Sequence, residues 1–88
     1  MYLCTPAALS IQVRQIERWL RAAAQDLDPG IKFLHASYAV ANVDMLRQLA
    51  TDTDVQQATG ADPVRLHARA SRLQDQAQQA LEARRRVF

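Results

Sequence analysis

The chain has 88 residues, 49% of them hydrophobic and 23% charged, with a formal net charge of +2. A chain of this length forms one domain at most, buries roughly 60–65% of its unfolded surface and leaves no room for a large substrate cavity. Two widely separated glycines, Gly30 and Gly60, exclude a phosphate loop or a dinucleotide fingerprint, and the single Cys4 excludes an internal disulfide or a zinc knuckle.

Sixteen alanines and ten glutamines, with few β-branched clusters, favour helix throughout. Thr5-Pro6, Asp28-Pro29 and Asp62-Pro63 each pair an N-cap residue with a proline suited to the first helical position. Three long helices are therefore predicted, over about 6–26, 29–50 and 63–84. A short extra one is predicted near 53–59, with Thr53 and Gln56 at capping-box spacing and Gly60 as its left-handed stop. The fold class is all-α, a compact three-helix bundle in one domain spanning 1–88. Residues 1–4 and 85–88 are expected to fray or to dock on a partner.

On the first helix, Leu9, Val13, Ile16, Leu20, Ala23 and Leu27 fall within about 40° of one line, a core seam. Ile11 and Trp19 lie off it. On the second helix, Ile31, Leu34, Tyr38, Ala41, Met45 and Leu49 form one apolar line, and Phe33, Ala36, Val40 and Val43 form another on the opposite side. A helix apolar on two sides is expected to lie between two neighbours, with Ser37, Asp44 and Gln48 as its wet edge. The third long helix offers a thin seam of Leu66, Ala70, Leu73, Ala77, Ala80 and Leu81. Alanine there permits close approach but buries little area.

No stretch reaches the roughly 18 apolar residues of a membrane span, since His35, Asn42 and Asp44 interrupt the most apolar run. The N-terminus has no basic region ahead of an apolar stretch, so no secretion signal is expected. A lone cysteine fits a reducing intracellular compartment.

No catalytic constellation stands out. His35 and His67 are far apart in the chain, no His/Asp/Glu group has metal-ligand spacing, and Asp52 and Asp54 serve a helix start. Cys4 reads as a small, partly buried side chain. The expectation is no enzyme, no cofactor and no metal. His35, Tyr38 and Asn42 could border a small polar pocket, though no motif supports one. Ten of the eleven basic residues are arginine. Arg14, Arg18 and Arg21 share one face of the first helix, and Arg65, Arg69 and Arg72 share one face of the last. Such ladders suit phosphates or carboxylates. Nine acidic residues nearly balance them, and Glu17 and Asp75 lie beside the ladders. The off-seam Trp19 and Ile11, with Phe33, Val40 and the terminal Phe88, are the predicted interface anchors.

Three stretches, FLHASYAV (33–40), ATDTDVQQATGAD (50–62) and LQDQA (73–77), resemble small uncharacterised helical proteins encoded by large DNA viruses of eukaryotes. They cover about a third of the chain. The resemblance implies a component of a virion or of a host-interaction assembly, and no site residue follows from it. The function expected is that of a non-catalytic structural or protein-interaction subunit, associating with a protein partner or with itself. The alternative is a helical nucleic-acid-binding module that uses the two arginine ladders.

Overall fold

The computed structural model describes residues 5–86, so Cys4, Val87 and Phe88 lie outside the described residues. Four helices follow one another: α1 (Pro6–Gln25), α2 (Pro29–Leu49), α3 (Asp52–Thr59) and α4 (Pro63–Arg86). Three begin as the cap residues dictate. Thr5 Oγ1 accepts the Ala8 N–H at 3.1 Å, Asp28 Oδ2 accepts the Ile31 N–H at 2.9 Å, and Asp62 Oδ1 accepts the Val64 N–H at 3.0 Å. Each side chain satisfies a donor that the first turn leaves without a partner.

The short helix starts earlier than the capping-box spacing suggests. Thr51 rather than Thr53 is its cap, with Oγ1 accepting the Asp54 N–H at 3.0 Å. Asp52 and Asp54 then sit in the first turn, where the helix dipole favours negative charge. Gly60 ends the helix at φ 77°, and its N–H donates to the Gln56 carbonyl at 2.8 Å. Replacing Thr51 with alanine is expected to cost about 1 kcal/mol, whereas Thr53→Ala stays within about 0.5 kcal/mol. Paired thermal melts of the two variants check this assignment.

The α1 seam packs as its periodicity requires, with Leu9, Val13, Ile16, Leu20 and Ala23 all buried. Leu27 does not join it and is 97% exposed. The chain leaves the helix at Asp26 (ψ 131°) because the Asp28-Pro29 cap forces extended backbone ahead of the next helix. From α2 the core takes Ala36, Ala39, Val43 and Leu46; from α3 it takes Val55; from α4 it takes Pro63, Ala70 and Ala77. Leu66 and Leu73 pack against this cluster in part, and Ala80 is exposed. The last helix continues through the arginine run to Arg86, beyond the end that its fading apolar pattern predicts.

Helix α2 packs along both α1 and α4, while those two touch each other only sparingly. Helix α3 leans mainly on α1. The result measures 54 × 18 × 18 Å. Such an arrangement covers two flanks of α2 and leaves the third side to solvent.

Candidate interaction surface

The uncovered side of α2 is apolar. Ile31, Leu34, Tyr38, Met45 and Leu49 are each between 38% and 46% exposed, and Ala41 between them is exposed as well. At 100° per residue the six fall within about 50° of one line. This is the longer of the two apolar lines of α2, expected to be core and found outside it. The opposing line behaves differently: Ala36 and Val43 are buried, and Phe33 and Val40 are partly covered.

The polar side chains of α2 explain the orientation. His35, Ser37 and Asn42 are partly buried and turn toward the neighbouring segments, while Asp44 and Gln48 stay exposed. Toward α1, Gln12 Nε2 donates to Asn42 Oδ1 at 3.3 Å, while Asn42 Nδ2 donates back within α2 to the Tyr38 carbonyl at 2.7 Å. His35 Nδ1 lies 2.6 Å from Asp26 Oδ2; a carboxylate only accepts, so the imidazole donates. Toward α4, Gln74 Nε2 donates to Ser37 Oγ at 3.0 Å, and His67 Nε2 lies 3.5 Å from Asp44 Oδ1. Of the expected wet edge, Asp44 and Gln48 are exposed, whereas Ser37 is partly covered at the border with α4. Half-buried hydrogen bonds of this kind line the two seams, and the apolar stripe is what remains between them.

Trp19 closes one border of the stripe. Its ring meets Tyr38 edge-on at 5.0 Å between centroids and His35 at 5.4 Å. It also packs on the core cluster, as does Val40. Both are therefore partly spent on intramolecular packing rather than standing free as anchors. Ile11 is 52% exposed. Phe33 lines a shallow groove of about 420 Å³ with Leu81, Arg84 and Arg85 of α4. Phe88 lies outside the described residues. The polar groups of His35 and Asn42 are already engaged, and among the described residues no three His, Cys, Asp or Glu side chains gather as a metal site.

Arg14, Arg18 and Arg21 are exposed on α1, and Arg65, Arg69 and Arg72 are exposed on α4. Acidic groups separate the two ladders. Glu17 and Asp62 line a groove of about 340 Å³ together with Arg65 and Arg69, and Arg65 Nε lies 3.9 Å from Asp62 Oδ2.

No known family matches the chain, nor does any curated protein or solved structure. No described helix is long and apolar enough to cross a membrane. The chemistry of the surface itself therefore carries the functional reading.

The stripe residues were legible as an apolar line, but their destination was not. The signal that separates core from surface lies in the polar residues. His35 and Asn42 on one side, and Ser37 and Asp44 on the other, each recur at a spacing of seven and mark the two helix–helix borders. The stripe lies between those borders on the side away from the core.

Proposed function

We propose that this protein is a small, non-catalytic helical interaction subunit that works by burying the outward face of α2 against a protein. The observation that supports this reading is the line from Ile31 to Leu49 on a helix whose His35, Ser37 and Asn42 are bonded to its neighbours. Isolated exposed apolar residues are ordinary on any protein surface, but a contiguous patch rimmed by polar groups marks a binding face. Ile11 and Trp19 would extend the patch toward α1. The resemblance to viral helical proteins suits a subunit of a virion or another large assembly, and the lone cysteine suits a reducing compartment.

The second reading, nucleic-acid binding through the six exposed arginines, is favoured by their exposure and opposed by Glu17 and Asp62 between the ladders. It requires binding to duplex or single strand at low salt that weakens steeply as salt rises. Absence of binding at low salt ends it.

Light scattering over a concentration series, combined with binding of an anilinonaphthalene dye, tests the first reading. The wild-type protein is expected either to associate or, where monomeric, to bind the dye. Leu34→Glu is expected to abolish whichever is seen without lowering the melting temperature appreciably. A protein that neither associates nor binds dye overturns the proposal.

A further inference from the structure

The stripe reads nearly the same from either end. Its members are spaced three, four, three, four and four residues apart, the alternation of a coiled-coil seam, and they extend over about 28 Å of helix. Set against an inverted copy of itself, the line brings Leu34 opposite Met45 and Tyr38 opposite Ala41, with Ile31 one residue out of step with Leu49. The bulkiest side chain meets the smallest at the centre, and aliphatic residues meet aliphatic residues at the ends. We propose that the occupant of this face is a second copy of the same chain, its α2 packed antiparallel on the first about a two-fold axis passing between Tyr38 and Ala41. This inference rests on the reading of the stripe as an interaction surface and commits it to one partner.

Charge supports self-pairing. Lys32, Asp44 and Arg47 are the charged residues of α2, and none lies on the line. Arg47 is held by Asp52 through two hydrogen bonds of 3.1 and 3.0 Å, and Asp44 stands beside His67. In the inverted pair Asp44 comes level with His35 and within two residues of Ser37 on its own flank, neither of them acidic, so no two carboxylates are forced together. A face without net charge selects neither a phosphate backbone nor an acidic or basic peptide. It selects a neutral apolar ridge of matching period, and the chain presents one.

The area is sufficient for a modest dimer. About two-fifths of five large side chains amounts to roughly 400 Å² of largely apolar surface per copy. The rim that an antiparallel helix pair also covers, including Ser37, Ala41, Asn42 and Gln48, takes the total past the roughly 1,000 Å² that separates specific pairs from incidental contacts. An interface of that size lies at the low end of specific pairs, where association is weak and concentration-dependent.

Sedimentation of the full chain from low-micromolar to near-millimolar concentration, with L34E, M45K and their equimolar mixture, tests the register as well as the association. The wild type is expected to dimerise. Each variant alone places two uncompensated charges in the interface and is expected to weaken the dimer roughly a hundredfold or more, with its thermal melt preserved because both positions are exposed in the monomer. In the mixture Leu34→Glu of one chain faces Met45→Lys of the other, and the heterodimer is expected to recover. Failure to recover, with both single variants monomeric, overturns the antiparallel register. A wild type that stays monomeric yet binds dye in a Leu34-dependent way overturns self-pairing while leaving the interaction surface standing. A dimer indifferent to both substitutions overturns the two together.

Discussion

Leu46→Ala is expected to destabilise the protein by about 3 kcal/mol, while the same replacement at Leu34, on the same helix, costs about 1 kcal/mol or less. Leu46 is fully buried among Leu9, Val13, Val43 and Val55, where lost methyl groups leave a cavity that rigid neighbours cannot fill. Leu34 is 43% exposed and leaves only a dent in the surface. In a domain of this size each kcal/mol shifts the melting temperature by roughly 4–8 °C, so the two variants separate widely in a dilute thermal scan. Equal losses at both positions would place the core on the wrong side of α2.

The second large effect comes from adding volume instead of removing it. Ala39 of α2 and Ala70 of α4 are both fully buried in the central cluster. Ala36 and Ala77 are buried on the same two helices. Small residues at these positions allow the backbones of α2 and α4 to approach closely. Ala70→Leu is expected to force the helices apart and cost about 1–3 kcal/mol, although leucine has the higher hydrophobicity and nearly equal helix propensity. Ala80→Leu, about three turns further along α4 at an exposed position, is expected to be within about 0.5 kcal/mol of wild type. Chemical denaturation of the pair distinguishes overpacking from any general effect of leucine on α4.

The helices themselves were readable because their punctuation is local. Thr5-Pro6, Asp28-Pro29 and Asp62-Pro63 act within one turn of chain, and a cap or a proline needs no tertiary partner to be recognised. The α1 seam was equally legible, since a single amphipathic face has one direction in which to bury. What local sequence could not settle was how α2, apolar on two sides, would be oriented. Hydrophobicity alone favours burying the line that contains Ile31, Leu34, Tyr38, Met45 and Leu49, because it is the bulkier. The bundle instead buries a face of Ala36, Ala39, Val43 and Leu46, of which only Ala36 and Val43 belong to the second predicted line, while Phe33 and Val40 of that line are partly covered. Alanine on α2 matches alanine on α4, and close packing of small residues wins where ridges of large ones would hold the helices apart. Leu27 failed as a seam member for a different reason, since periodicity takes no account of the turn that Pro29 imposes. The capping of α3 was misplaced by two residues because Thr51 and Thr53 are chemically equivalent and only packing chooses between them.

The inward-facing polar pairs of α2 have a mechanical meaning. Rolling this helix about its own axis to hide its greasy side would have to sever the links to Gln12, Asp26, His67 and Gln74 at once. At about 0.5–1.5 kcal/mol for each of the three part-buried hydrogen bonds, with less from the exposed His67–Asp44 pair, they act as detents holding a single rotational setting. An isolated molecule therefore has no cheap internal adjustment that would bring its exposed ridge out of water, which is what the proposed pairing would supply.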